Sequence, residues 1–188
     1  MSPGPAARPI ILDRDGTIVV DRHYPDDPEQ LCFLPGAAQA LQSFADQGHL
    51  ILVITNQSGV GRGRFTLERM HEVNERFLQM VAAAGARVDA LYSCPHDPAA
   101  DCDCRKPKPG LVLEAARRFG FAPSSAIVIG DKSTDVELGR RLSAVTMLIS
   151  STGRATDDAW VEPDYIIRDL PAAVRIVAQL ATSGSGSK

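Results

Sequence analysis

Short apolar runs alternate with helical patterns along this chain, and two of those runs end in acidic residues. Ile10-Ile11-Leu12 leads into Asp13-Arg14-Asp15-Gly16, and Ala126–Ile129 leads into Gly130-Asp131-Lys132. Strands separated by helices form βαβ units in a parallel sheet, and open parallel sheets bind their ligands at the C-terminal tips of the strands. The alternation therefore restricts the fold class and also marks the sheet edge where chemistry belongs.

Further strands are expected at Leu50–Ile54, Ala90–Ser93, Val145–Ile149 and Tyr165–Ile167. The first of these is a continuous apolar run of the kind buried on both faces of a parallel sheet. Helices are expected over Pro35–Gln47, stopped by Gly48, and from a Thr66 cap to about Ala84, stopped by Gly85. Others should span Gly110–Phe119 and Leu170–Leu180, with one more running from a Thr134/Glu137 capping box to about Leu142. Residues 17–34, rich in Asp and Pro, read as loop. The expected architecture is α/β, a Rossmann-like three-layer sandwich with a mainly parallel central sheet. The 188 residues suit a single domain over 1–182, with the Ser-Gly stretch 183–188 as a flexible tail.

Composition narrows the partners. The chain is 44% hydrophobic and 23% charged, with a net charge of −3, which is ordinary for a globular protein and lacks the basic balance of a nucleic-acid binder. No apolar run suggests a signal peptide or a membrane span. A cytoplasmic monomer acting on a small molecule is the expectation.

The chemistry follows from the acidic strand tips. In Asp13-x-Asp15 the first carboxylate can attack phosphorus, while the second faces the leaving group, protonates it and later deprotonates water. Charge repulsion between nucleophile and phosphate must be offset, and Mg²⁺ held by Asp13, Asp131 and the carbonyl of Asp15 would do so. Thr55-Asn56 closes another strand and offers a hydroxyl and backbone N–H groups to phosphoryl oxygens. Lys106 would balance the shared charge. Each feature alone has a plainer account: a turn, a solvated lysine, or an acidic first helical turn for Asp131 with Asp135. The ordered set argues against chance. A nucleotide-binding reading of Gly59-Val60-Gly61-Arg62-Gly63 fails, because G-x-G-x-x-G would require glycine where Arg64 stands.

Three of the four cysteines lie in Cys94-x-His96-x5-Cys102-x-Cys104. Three thiolates and an imidazole make a closed tetrahedral zinc set, hence a structural one, directly before Arg105-Lys106. Such zinc binding is worth about 10–16 kcal/mol in peptides, enough to order a loop with little core of its own. Metal-free thiols or disulfides are the other readings, the latter out of place in a cytoplasmic chain. Cys32 reads as a small buried hydrophobe, and His49 and His71 as surface or boundary residues.

The sequence resembles the haloacid dehalogenase-like phosphohydrolases, in particular the D-glycero-D-manno-heptose 1,7-bisphosphate 7-phosphatases and their histidinol-phosphate phosphatase relatives. Asp13-Arg-Asp-Gly-Thr17, Thr55-Asn-Gln-Ser-Gly59, Cys94-Pro-His96, Cys102-Asp-Cys-Arg-Lys-Pro-Lys-Pro-Gly110 and Gly130-Asp-Lys132 carry the resemblance. It implies Asp13 as nucleophile, Asp15 as acid/base, Thr55 and Lys106 as phosphoryl stabilisers, and Asp131 completing the Mg²⁺ site. It further implies substrate contacts from Asp21, Tyr24, Asn56, Gln57, Ser58, Arg62, Arg105 and Lys132, with Arg62 and Arg105 suited to the remote phosphate of a bisphosphate. Between Asn56 and Arg105 there is room only for one helix, one strand and the zinc loop, so no separate cap domain is expected. The implied activity is Mg²⁺-dependent removal of the 7-phosphate of the heptose bisphosphate through an aspartyl-phosphate, in ADP- or GDP-heptose precursor synthesis. Histidinol phosphate is the alternative substrate.

Overall fold

Six parallel strands build the sheet, in the order β3-β2-β1-β4-β5-β6. The computed structural model describes residues 7–22, 27–150 and 161–183; Tyr24 and residues 184–188 lie outside them. The strands are β1 (Ile10–Leu12), β2 (Ile51–Asn56), β3 (Ala90–Cys94), β4 (Ile127–Gly130), β5 (Val145–Ile149) and β6 (Tyr165–Ile167), and the helices are α1 (Ala37–Asp46), α2 (Leu67–Ala83), α3 (Gly110–Phe119), α4 (Ser133–Arg141) and α5 (Leu170–Ser183). From β1 the chain builds outward to β2 and β3, and from β4 outward the other way, so the order reverses between β1 and β4. That reversal is where doubly wound sheets open a crevice.

Alternation along the strands splits the core into two layers. Ile10, Leu12, Ile51, Val53, Ile127 and Ile129 face one side, with Leu41 and Phe44 of α1, Phe77 of α2 and Val177 of α5. Ile11, Leu52, Ile54 and Val128 face the other, with Val112 and Ala115 of α3 and Leu138 of α4. Successive side chains of a strand point to opposite faces, so a sheet covered on both sides requires runs that are apolar at every position. Among the described residues no separate cap domain stands over the sheet.

Several local expectations are corrected. Helix α4 is not capped by Thr134 and Glu137. Its N-cap is Lys132, whose backbone N–H donates to Asp135 Oδ2 at 3.2 Å, while Glu137 pairs with Arg141. Asp135 wins because it stands at the third helical position, where a carboxylate can turn back to the cap N–H. At the two ends of the loop expected over 17–34 the backbone pairs with itself. Val20 N donates to Cys32 O and Leu34 N to Ile18 O, and Ile18 and Val19 are fully buried. Cys32 is exposed, pointing away from the core that its neighbours Ile18 and Val19 enter.

His49 is buried, at 3% exposure, with Nδ1 between the backbone N and O of Arg8 at 3.1 and 2.9 Å. Burial lowers its pKa below the usual histidine value. The unfolded chain then binds the extra proton first as pH falls below about 6.5, so this contribution to stability is complete above that pH and is lost below it. Denaturant midpoints measured between pH 5 and pH 8 should therefore drop on the acid side. His49→Asn, which retains a polar atom near the Nδ1 position, should flatten the pH dependence attributable to this residue.

Candidate active site

The tips of β1, β2 and β4 converge on one ammonium group. Lys106 Nζ lies 2.6 Å from Asp13 Oδ1 and 2.7 Å from Asp135 Oδ1, and all three side chains are buried. Burial works against the charge on Lys106, but the two carboxylates outweigh it and raise its pKa. The lysine's backbone is fixed separately. Asn56, last residue of β2, accepts from Lys106 N at 3.0 Å and donates to Lys106 O at 3.1 Å.

Asp13, Asp131 and Asp135 bring carboxylate oxygens within 4.8 Å of one another. Burial, then the neighbouring charge of Asp13, pushes Asp131 up to about 7. Three acids, Asp13 and Asp135 buried and Asp131 half-buried, against Lys106 and Lys132 leave an excess of negative charge, and hard oxygen donors of this kind fit Mg²⁺. The backbone makes room for them. Gly16 has φ +84°, and a Cβ there would collide with the Asp131 carboxylate; a Cβ on Gly130 would meet that of Asp135. Asp135 is the acid that the sequence reading set beside Asp131 in a first helical turn without giving it a place in the metal site. Its spacing of four from Asp131, one helical turn, was the available signal.

The Asp15 carboxylate is not part of this group. It accepts from Arg14, from Gln57 Nε2 at 2.7 Å and from Thr55 Oγ1 at 3.4 Å. Asp13, Asp15, Thr55, Asn56, Lys106, Lys132, Thr134 and Asp135 line a cleft of about 40 Å³. Lys132 also pairs with Asp21 at 3.1 Å. Burial opposes the Lys132 charge, but Asp131, Asp13 and Asp21 outweigh it and raise its pKa. Gln57, expected against substrate, instead spends its amide on Asp15 and Thr55. Ser58 is half-buried and does not line the cleft.

Beside this cleft, Cys94 Sγ, His96 Nδ1, Cys102 Sγ and Cys104 Sγ also fall within 4.8 Å of one another. Burial pushes Cys94 up to about 12, whereas at Cys102 burial is outweighed by hydrogen bonds from Cys104 and Cys94 and its pKa falls to about 7. The four atoms are a sulfur-rich tetrahedral set that could hold zinc. Arg62 stands at the edge of this loop, its Nε 2.8 Å from Asp97 Oδ2, and Gly61 N donates to Pro95 O. Arg105 is half-buried, and among the described residues its Nη1 has no hydrogen-bond partner.

A parallel sheet with acids gathered at its central reversal is the design of a haloacid dehalogenase-like hydrolase, and the HAD-hydrolase-like family model matches residues 103–173. The D-glycero-beta-D-manno-heptose-1,7-bisphosphate 7-phosphatase of Pasteurella multocida is 34% identical over 176 residues, covering 88% of this chain and 96% of its own. The enzyme of the same name from Escherichia coli K12 is 32% identical, covering 88% and 93%. A crystal structure of D,D-heptose 1,7-bisphosphate phosphatase from B. bronchiseptica, complexed with magnesium and phosphate, superposes with a TM-score of 0.83 at 28% identity, over 92% of this chain and 99% of that one. The chain belongs to the heptose 1,7-bisphosphate 7-phosphatase family of haloacid dehalogenase-like hydrolases, which are phosphoric monoester hydrolases. No helix among the described residues is long and apolar enough to cross a membrane.

Protein purified without chelator is expected to carry close to one zinc per chain. Cys102→Ser should speed amide hydrogen exchange across residues 95–104 while leaving the amide of Lys106 protected, because Asn56 holds that amide independently. Exchange at Lys106 rising together with the loop would show that zinc, rather than Asn56, fixes the lysine.

Proposed function

We propose that this chain removes the 7-phosphate of D-glycero-D-manno-heptose 1,7-bisphosphate through an aspartyl-phosphate on Asp13, supplying a precursor of nucleotide-activated heptose in the cytoplasm. The observation that carries the reading is the buried bridge of Lys106 between Asp13 and Asp135, beside Asp131. A buried carboxylate at a strand tip, neutralised on one side by a lysine and flanked by further metal-type donors, is arranged to meet a phosphate dianion. The family relatives support the substrate, and one of them was crystallised with magnesium and phosphate.

Asp13, Asp131 and the carbonyl of Asp15 would hold Mg²⁺, with Asp135 as a further carboxylate beside them. Bound there, the ion supplies positive charge that offsets repulsion between nucleophile and phosphate. The chain's own groups do the rest. Asp13 Oδ attacks phosphorus, and the bond to the leaving oxygen breaks as Asp15 gives it a proton. Lys106 and the Thr55 hydroxyl stabilise the charge on the transferring group. Asp15, now ionised, then takes a proton from water as that water attacks the phosphoenzyme and frees Asp13. Lys132, which lines the cleft and pairs with Asp21, would meet the substrate, and Arg62 and Arg105 would take its remote phosphate. Single-domain and monomeric behaviour belongs to the same proposal.

Asp13→Asn should abolish turnover and phosphoenzyme formation with the fold retained, and Asp15→Asn should slow leaving-group expulsion by about 10²–10⁴-fold, the worth of a positioned acid. Near-normal phosphate release by pure Asp13→Asn protein would end the mechanism. For specificity, Arg105→Ala should lower kcat/KM on heptose 1,7-bisphosphate by about 1.5–3 kcal/mol, the worth of a charge-assisted hydrogen bond, and much less on a simple monophosphate ester. Equal losses on the two would assign Arg105 to the transferring phosphate or to the fold. Faster wild-type turnover of histidinol phosphate than of the heptose bisphosphate would change the substrate.

A further inference from the structure

Arg14 stands between the two aspartates of the strand tip, yet it faces away from the phosphate cleft and is fully buried, at 0% exposure. Its Nε lies 3.2 Å from both oxygens of Asp15, and its Nη2 lies 2.9 Å from Oδ2. Nη1 donates to Asn74 Oδ1 on α2 at 2.7 Å, and Asn74 Nδ2 donates to Ser93 Oγ on β3 at 3.0 Å. A buried guanidinium is costly to desolvate, and an apolar side chain could fill the same space. It has no path to substrate. Its whole charge is directed at one carboxylate.

We propose that Arg14, anchored by Asn74, is a positioning residue that fixes which oxygen of Asp15 carries the catalytic proton. This rests on the reading of Asp15 as acid/base. Oδ2 is crowded with donors: Arg14 Nε and Nη2, Gln57 Nε2 at 2.7 Å and Thr55 Oγ1 at 3.4 Å. Among the described residues Oδ1 has only the long contact from Arg14 Nε. A carboxylate oxygen offers about two lone pairs, so Oδ2 is saturated as an acceptor and Oδ1 is the oxygen with capacity to bind and release a proton. The Arg14 fork holds the carboxylate plane, so that Oδ1 is presented in a constant direction. In the first half-reaction Oδ1–H transfers its proton to the leaving oxygen; in the second, Oδ1 receives one from water. Among the described residues Asn74 hydrogen-bonds to Arg14 and Ser93 and to no residue of the cleft lining, so its direct link to Asp15 runs through Arg14.

The discriminating experiment is rapid-quench measurement of phosphoenzyme formation with two substrates. Heptose 1,7-bisphosphate has a poor alkoxide leaving group that needs the acid, whereas p-nitrophenyl phosphate has a good one that does not. Asn74→Ala should slow the step about tenfold on the bisphosphate, part of the about 10²–10⁴-fold worth of a positioned acid, with little change on p-nitrophenyl phosphate and an unchanged KM. Asn74→Asp, which keeps an oxygen for Nη1, should restore most of the rate. Arg14→Lys, which keeps the charge but cannot fork and reach Asn74 together, should show the same selective loss and serves if Asn74→Ala does not fold. Equal losses on both substrates, or no loss in folded protein, would overturn the positioning role. An Asp15→Asn enzyme insensitive to leaving group would instead overturn the acid/base reading beneath it.

Discussion

One ammonium group ties the catalytic half of the molecule together. Lys106 reaches in from the segment after the zinc loop to neutralise Asp13 at the tip of β1 and Asp135 in the first turn of α4. Without that charge two carboxylates would be buried side by side, and removing one partner of a buried ionic group costs about 3–5 kcal/mol. The sheet reversal between β1 and β4 brings these acids close together, and the lysine makes their closeness tolerable. The remaining negative charge, centred on Asp131, is what a divalent cation would complete.

Around this centre the chain divides its labour by face. Residues on the cleft side carry charge toward the phosphate: Asp13, Asp131, Asp135, Lys106 and Lys132. Residues behind it carry none outward. Arg14, Asn74 and Gln57 are buried or nearly so and bond only to other protein groups. The chain bends at Arg14, so its guanidinium turns onto the neighbouring Asp15 carboxylate and away from the cleft lining. In the proposed mechanism this one tripeptide supplies the nucleophile, the acid/base and the cation that orients it.

Much of this was legible in the sequence. All six strands were, because each is built on a short, largely apolar run closed by a turn or an acid; α3 was read to the residue because Pro109 and Gly120 bracket it. The zinc-type cluster was legible from spacing alone, since its four ligands come from one short segment. What escaped depends on contacts distant in sequence. Asp135 looked like a helix-start acid because its meeting with Lys106 spans a crossover. His49 looked like a boundary residue because the backbone that covers it, at Arg8 just before β1, is 41 residues away in sequence. Arg14 is silent in sequence, as nothing near it announces Asn74, sixty residues on. Cys32 was misjudged because its backbone pairs with Val20, and Leu34 with Ile18, a pairing that no periodicity records.

Asn56 bears on the history of such molecules as well as on their chemistry. It pairs with Cys94 in the β2–β3 ladder and clasps the backbone of Lys106, so the segment that carries the metal ligands leaves and rejoins the scaffold at a single address. A loop with both ends pinned to one residue can be lengthened, shortened or replaced with little effect on anything beyond its base. Variation could thus redesign what lies over the cleft, and so which phosphate esters are admitted, while the lysine at its root stays in register with the nucleophile.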